Sequence, residues 1–506
     1  MPTEMRLAQR AFRFALDPTP RQARMFASHA GGARFAYNWG NAQIIAALDA
    51  RQAEKDAGAE PTVKTPSHFD LCKAWTAWKN EHAADPEPAD GERRTNTAWV
   101  AENFVGTYQA ALRDAAKAWS DFFASRSGKR KGRRLGRPRF KKKGKSRDSF
   151  QVHGGTLRME DAVHVTLPKI GTITVMSDDS LHPAMRRSRA RATHLAPRHM
   201  GNRRRARTLW RALRRGGGAR LIRGTVTRGA DGLWWLSLTA EIPLQVRASP
   251  SRAQQEGGMI GADFGVREVA TFSNGVTIRN SRHLEAALAE LRAAQKALSR
   301  CQKDSMRREK AKARIGVIHA DVARLRETAL HRATTVLVRQ HDVIAMEGWD
   351  VQQVMRGGSK DVPRRIRRDR NRALADTGVG MARQMLSYKG PQMGAIVMVT
   401  DPQAKTGRTC SVCRTPRTTA LPPHHEMFTS DQCGHVLDRR LNTAQALAGW
   451  AAQELSKRGP APAGPSRPRG GNVRPAADRK VGGGRSPVKR AASTRLGRGE
   501  PGTPGG

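Results

Sequence analysis

Three carboxylates in this 506-residue sequence stand where folding could gather them: Asp263, Glu347 and Asp438. Asp263 closes a short apolar run between Gly261 and Gly265, in the stretch MIGADFGVREVATFSNG. Glu347 closes the run VIAME, and Asp438 opens DRRLNTAQALAGWAAQEL, whose spacing of apolar residues reads as a helix. Neighbouring strand ends in a mixed α/β sheet can present two side chains together, and a helix N-terminus can add a third. Three anions so placed repel one another and drift toward protonation unless a cation compensates. Oxygen donors at that density suit Mg²⁺ or Mn²⁺. Two such ions about 4 Å apart can activate a water and stabilise the leaving oxygen of a phosphodiester. Taken singly, each residue has a plainer reading: a turn cap for Asp263, an ion pair with a nearby arginine for Glu347, and a helix N-cap for Asp438.

A second group is sulfur. Of five cysteines, Cys410, Cys413 and Cys433 fall within 24 residues, the first two as C-x2-C. Five scattered cysteines in a chain this long do not make a disulfide framework, which points to a reducing compartment and to metal. Cys72 and Cys301 lie in helical patterns and read as buried or incidental thiols.

The medium around these groups is strongly cationic. Lys and Arg number 91 against 44 Asp and Glu, a formal charge of +47. Self-repulsion on that scale opposes a compact fold unless a polyanion neutralises it, and nucleic acid is the simplest polyanion. Charge alone does not separate an enzyme from a ribosomal or chromatin-like protein. Two acid-free blocks concentrate it: residues 126–147 with 13 Lys and Arg, and residues 182–223 with 14 Arg. Each reads either as a solvated tether or as a backbone-contacting surface. The amino terminus lacks a signal-peptide core, and no run of 18 apolar residues exists to span a membrane. The totals fit a cytoplasmic prokaryotic protein, with an arginine-rich nuclear one as the alternative.

The elements that must position the carboxylates follow from periodicity. Residues 11–16 alternate as a strand, a turn follows at Asp17-Pro18-Thr19-Pro20, and a helix starts at Arg21. Residues 97–123 place apolar groups every three or four positions, predicting one long helix whose apolar face carries Trp99, Trp119 and Phe122. Trp75 and Trp78 read as core or as a stacking platform for a base. Strands over 151–176 and a hairpin over 224–242 suggest a small β-barrel interrupted by a basic insertion. From Met259 come a hairpin, helices over 284–300 and beyond 315, a strand at 342–350, an Arg-rich loop at 364–372, a helix, a strand at 395–401 and a closing helix. Residues 457–506 hold 20 Gly and Pro with 12 Lys and Arg and read as disordered.

Several motifs together resemble one family. GADFGVREVATFSNG, IAMEGWDVQQV and CGHVLDRRLNTAQAL are similar to the three motifs of the RuvC-like nuclease domain, the last preceded by a zinc ribbon. FRFALDPTPRQARMF, GGARFAYNWGNAQ and GRPRFKKKGKSRDSF extend the likeness to the transposon-encoded TnpB proteins and the compact type V CRISPR effector nucleases. The resemblance covers most of the chain and is weakest at 50–95, 180–220 and the tail. It implies a multidomain α+β protein: a helical recognition lobe and a β-barrel wedge domain, then an RNase H-like (RuvC) α/β nuclease domain with an inserted zinc-ribbon-like segment. The boundaries expected are 1–27 and 126–250 for the wedge with its basic linker, 28–125 for the helical domain, 251–400 for the nuclease, 401–437 for the zinc-ribbon-like segment, 438–456 for the closing helix and 457–506 for the tail.

The resemblance also implies a function. The expectation is an RNA-guided endonuclease that cuts guide-complementary double-stranded DNA beside a short adjacent motif, the sequence being read by base pairing. Asp263, Glu347 and Asp438 would be catalytic and hold Mg²⁺ or Mn²⁺. Cys410, Cys413 and Cys433 would hold Zn²⁺. The partners implied are a guide RNA with a structured scaffold and the target duplex, one or two protein copies acting per guide. Tyr37, Asn38, Arg133, Arg134, Arg137, Lys141, Lys142, Arg203, Arg204, Arg205, Arg364 and Arg365 are the candidate nucleic-acid contacts. Chain length favours a CRISPR effector, with a transposon nuclease or a weakly cleaving silencer as alternatives.

Two departures stand out. Where the family's third motif reads Asp-Arg-Asp, this chain has Asp438-Arg439-Arg440, and where a second C-x2-C belongs it has Ser430-Asp431-Gln432-Cys433. His424, His425, Asp431 or His435 could supply the fourth zinc ligand, and a metal-free remnant held by packing is the other reading. Asn442 could orient Asp438 or be a surface residue, and Trp349 is expected beneath the acidic centre.

Overall fold

The computed structural model describes residues 3–83, 97–130, 134–176, 202–215, 218–265, 267–348, 355, 363–401, 404, 406–419, 421 and 425–457. The chain falls into two units, Met1–Pro462 and Ala463–Gly506, and every described residue lies in the first. The tail expected beyond Lys457 is outside the described residues.

Strand β1 (Thr3–Asp17) extends the predicted strand back to the chain start and stops at Pro18. Helix α1 (Pro20–Asp56) is set by a reciprocal capping box, Thr19 with Gln22, and by proline at its first position. Helices α2 (His68–Glu81) and α3 (Val105–Arg126) pack with it. The single helix expected from Thr97 is broken. A 3₁₀ turn over Ala98–Glu102 precedes α3, Asn103 Nδ2 donates to the Tyr108 hydroxyl, and the Phe104 N–H donates to His29 Nε2. These bonds satisfy polar groups that a continuous helix would have used differently.

Seven strands follow one order, β2-β6-β7-β1-β5-β4-β3. They are β2 (Ser149–His153), β3 (Arg158–Met159), β4 (His164–Leu167), β5 (Gly171–Val175), then β6 (Arg220–Arg228) and β7 (Trp234–Arg247) beyond helix α4 (Asn202–Arg214). Strand β1 pairs with β7 from Thr3↔Arg247 to Ala15↔Trp235 and then reaches β5 at Leu16↔Val175. The sheet is curled and open. The closed barrel expected is not formed among the described residues, because edge strand β3 has two residues and β2 packs on α1 and α3. One continuous apolar core joins this sheet to the helices, from Phe12, Phe14 and Phe26 through Leu112 and Trp119 to Phe150, Leu236 and Leu238. Trp75 is buried in it, and Trp78, Trp99 and Phe122 pack against it, as the core reading expects.

Beyond α5 (Arg252–Gly257) a second sheet carries the acidic residues, ordered β10-β9-β8-β11-β12. Strands β8 (Met259–Asp263), β9 (Glu268–Phe272) and β10 (Thr277–Arg279) run antiparallel. After α6 (His283–Ala286), α7 (Leu288–Ser299) and α8 (Met306–Gln340), β11 (Val343–Met346) lies parallel to β8. The arginine-rich stretch expected as a loop is helix α9 (Arg364–Thr377), with Leu374 buried. It leads to α10 (Val379–Met393) and to β12 (Ile396–Val399), parallel to β11. The hairpin β13 (Met427–Thr429) and β14 (Val436–Asp438) feeds the closing helix α11 (Arg439–Lys457).

Alternation along the strands assigns the two faces. Ile260, Ala262, Ile344 and Met346 face a core with Leu330 and Leu337 of α8 and Met385 and Leu386 of α10. Met259, Val343 and Ala345 face Leu447 and Ala451 of α11. Gly261 belongs to that second face, where a Cβ would sit 1.8 Å from the Ala444 carbonyl oxygen and 2.8 Å from the Ala448 nitrogen. The helix backbone lies directly on the strand there, and only glycine permits it. Gly261→Val should therefore displace α11 at an overpacking cost of about 1–3 kcal/mol. Native-state proteolysis should show faster cleavage within 439–457; wild-type resistance would refute the close seat.

Candidate active site and metal centre

The last pair in the β8–β11 register is Ala262 with Met346, so Asp263 and Glu347 come next, side by side at the strand ends. Both continue the alternation that faces α11. Asp263 is half-buried, and burial together with the nearby Glu347 raises its carboxyl from an ordinary 3.8 to about 7. Arg440 and Arg439 oppose that rise, while Asp438 adds to it. Burial likewise pushes Glu347 up, against the Thr406 hydroxyl, which donates to its Oε1, and against Arg439. The structure thus brings all three carboxylates into one electrostatic neighbourhood.

Asp438 sits at the junction of β14 and α11. Its Oδ1 accepts from the N–H groups of Arg440, at 3.0 Å, and Leu441, at 2.9 Å. The plain N-cap reading of Asp438 therefore holds, using one carboxylate oxygen of two. Among the described residues only the cysteine trio has donor atoms all within 4.8 Å of one another. Asp263, Glu347 and Asp438 do not form such a group: their oxygens do not all lie within 4.8 Å of one another. Carboxylate oxygens, from half-buried Asp263 and Glu347 and exposed Asp438, are the donor type that hard divalent cations take.

Arg440 stands where the resemblance leads one to expect a second aspartate. Its guanidinium pairs with Glu268 Oε2 at 3.5 Å, and a Cβ on Gly265 would lie 3.4 Å from it. Glu268 and Thr406 escaped sequence reasoning, since nothing in their local pattern marks them. Asn442 is neither a surface residue nor a partner of Asp438. It is fully buried, its Oδ1 accepting from the Ser411 N–H and its Nδ2 donating to the Thr409 carbonyl.

That bond ties α11 to the cysteine segment. Cys410 Sγ and Cys433 Sγ are 3.7 Å apart, and Cys413 Sγ is 3.5 Å from Ser430 Oγ. The Ser430 hydroxyl, followed by Thr415, draws the Cys413 thiol down to about 6, which favours the thiolate that a metal takes. His425, Asp431 and His435 do not join the 4.8 Å cluster, and Asp431 is ion-paired with Arg417 at 2.9 Å. His424 and Trp349 lie outside the described residues.

The candidate nucleic-acid contacts divide. Tyr37, expected at a duplex, is buried, with Lys141 Nζ 3.7 Å from its ring centroid. Asn38 holds the same residue, accepting from the Lys141 N–H and donating to its carbonyl. Both pin the basic segment to α1, a role its glycine- and lysine-rich sequence did not reveal. Phe150 anchors that segment's far end, whereas Phe140 is exposed. Burial lowers the Lys141 pKa, with Asp114 opposing. Arg134, Arg137 and Lys142 are exposed, Arg137 stacking over Trp119. Arg203, Arg204 and Arg205 are exposed on α4, which buries Ala206 and Leu209 beneath them. Arg365 is exposed on α9; Arg133 and the side chain of Arg364 are not described.

Comparison with known proteins places these features in context. A family described as "Probable transposase" matches residues 241–357, a "Helix-turn-helix domain" matches 5–52, and a "Cas12f1-like, TNB domain" matches 380–447. Residues 5–52 here form a strand and one long helix. A Mycobacterium tuberculosis H37Rv protein named "Putative RNA-guided DNA endonuclease" is 30% identical, covering 94% of this chain and 91% of that one. A protein of the same description from Streptomyces pristinaespiralis is 26% identical over 88% and 91%. One from Escherichia coli K12 is 24% identical over 80% and 83%. Among solved structures, a Cas12f1–sgRNA–target DNA complex aligns at 11% identity and TM-score 0.36, covering 87% of this chain and 99% of that one. These relatives are bacterial, and no described helix is long and apolar enough to cross a membrane.

The raised Asp263 pKa has a thermodynamic sign. The folded state holds this proton more tightly than the unfolded state, so the metal-free protein loses stability as pH rises from about 4 to about 7. Asp263→Asn should therefore stabilise the metal-free protein above pH 7, on the order of 1–3 kcal/mol. The gain should vanish toward pH 4 in thermal melts, and a pH-independent difference would contradict the assignment.

Proposed function

Since the chain belongs to the TnpB/IS605-like family of transposase-related nucleases, we propose that it is an RNA-guided DNA endonuclease of the transposon-encoded type. The supporting observation is the pair Asp263 and Glu347 on one sheet face, joined by Asp438 at the N-terminus of α11. A cationic body with one acidic centre suits hydrolysis of a polyanion's backbone. Full-length similarity to bacterial relatives named as RNA-guided DNA endonucleases, and a family described as a transposase, favour this reading over the CRISPR effector that chain length suggested.

In this reading Asp263, Glu347 and Asp438 hold divalent ions. When bound, Mg²⁺ or Mn²⁺ would supply water activation and charge stabilisation at the leaving oxygen. Thr406 fixes the orientation of Glu347 through its hydroxyl. Arg440 offsets part of the negative charge at Asp263 and is itself restrained by Glu268. The α4 arginines and the 134–147 segment grip RNA or guide–target duplex through phosphates, while sequence is read by base pairing. The segment 1–27 with 126–250 acts as the wedge, 28–125 as the recognition lobe, 251–400 with 438–456 as the nuclease, and 401–437 as a zinc-holding target contact. The setting is the prokaryotic cytoplasm.

Purified with RNA transcribed from its own locus, the protein should cut matched duplex DNA only with Mg²⁺ or Mn²⁺. Asp263→Ala, Glu347→Ala and Asp438→Ala should each lower the rate at least about 100-fold without weakening RNA binding. Matched binding with uncut DNA at saturating metal would instead identify a silencer, a role that Arg440 at the acidic centre would suit. Sequencing the bound RNA separates the remaining alternatives: transcripts from an element end support the transposon type, and repeat–spacer transcripts support the CRISPR type.

Neutralising Arg203, Arg204 and Arg205 together should reduce the steepness of the salt dependence of RNA binding by about two to three units of log–log slope. Metal-dependent cleavage at saturating RNA should be retained. An unchanged slope would make the α4 surface a bystander.

A further inference from the structure

The cysteine centre contains two copies of one backbone turn. In the first, Cys410-Ser411-Val412-Cys413 is followed by Arg414 at φ 60°. In the second, Ser430-Asp431-Gln432-Cys433 is followed by Gly434 at φ 68°. The Arg414 N–H donates to the Cys410 carbonyl at 3.0 Å, and the Gly434 N–H donates to the Ser430 carbonyl at 3.2 Å. The Cys410 N–H donates to the Thr415 carbonyl at 3.1 Å, and the Ser430 N–H donates to the His435 carbonyl at 2.9 Å. Position by position, Ser430 is the counterpart of Cys410, and Cys433 the counterpart of Cys413.

Distances support the same assignment. Four ligands around zinc at about 2.3 Å for sulfur and about 2.0 Å for oxygen give tetrahedral edges of roughly 3.8 Å between sulfurs and roughly 3.5 Å between sulfur and oxygen. The Cys410–Cys433 edge is 3.7 Å and the Cys413–Ser430 edge is 3.5 Å. Ser430 is 5% exposed, and its Oγ accepts from the N–H groups of Gln432 and Cys433, both at 3.3 Å. Two N–H dipoles aimed at that oxygen stabilise negative charge on it, the deprotonated form in which a serine oxygen keeps a lone pair for a cation.

We propose that Ser430 Oγ takes the fourth vertex, so that this chain holds zinc with three thiolates and one serine oxygen. The inference rests on reading the trio as a zinc site. A hydroxyl is a weaker zinc donor than a thiolate, so the centre binds metal less tightly than a four-cysteine site and exchanges it more readily. The histidine and aspartate candidates for that vertex are then unnecessary.

Cobalt(II) titration of the full-length protein tests this, because thiolate-to-cobalt absorption scales with the number of coordinated sulfurs. Wild type should report three, and Ser430→Cys four, with zinc held at least tenfold more tightly against a competing chelator. Ser430→Ala should keep three thiolates and bind zinc about tenfold more weakly, while His425→Ala and His435→Ala should match wild type. Three thiolates in Ser430→Cys, or weakening by a histidine variant in place of Ser430→Ala, would overturn the assignment while leaving a zinc site intact. No cobalt or zinc binding by wild type would overturn the zinc reading itself. Each measurement reads metal directly and does not depend on nuclease activity.

Discussion

Burial of neighbouring carboxylates at the ends of two strands is the constraint that the second half of this protein must answer. Adjacent parallel strands put Asp263 and Glu347 next to each other on a half-buried face, where water cannot screen them fully. The structure answers with Arg439 and Arg440 from the start of α11, with the Thr406 hydroxyl on Glu347, and with a site suited to divalent ions. Burial and the neighbouring Glu347 together push the Asp263 carboxyl up to about 7.

Helix α11 joins the two chemical centres. Its backbone lies against Gly261, its first turn is capped by Asp438, and Asn442 one turn later bonds the segment that carries Cys410. A metal in the sulfur centre would stiffen the hairpin from which Asp438 emerges. The hydrogen bonds of Asn442 thus connect the helix that begins at Asp438 with the segment that carries the cysteines.

The first half manages charge in another way. Long basic runs are fastened at a few points: Lys141 between Tyr37 and Asn38, Arg34 to Asp148 at 2.7 Å, and Phe150 in the core. Around those points Arg134, Arg137 and Lys142 face solvent, and α4 displays Arg203, Arg204 and Arg205 over a buried Ala206 and Leu209. An ordered cationic surface can follow a phosphate backbone without the entropy loss of ordering a free tether.

Much of this was legible in the sequence because it is local. The capping of α1, the alternation of the strands, the apolar spacing of α3, α8 and α11, and the ordered motifs around Asp263, Glu347 and Asp438 depend on residues near one another in the chain. What remained hidden depends on contacts across it. Whether the first sheet closes, whether Tyr37 faces a duplex or Lys141, and whether Asn442 serves Asp438 or Ser411 are decided by packing between distant segments. The arginine-rich α9 hid its helix because charge masks periodicity. By itself the sequence determined the residue types and the periodic elements that carry them. Only the tertiary structure decided that Gly261 admits α11 and that Ser430 stands beside Cys413 in a turn that repeats the one at Cys410, because backbone approach and pseudo-symmetric turns exist in space and not along the chain.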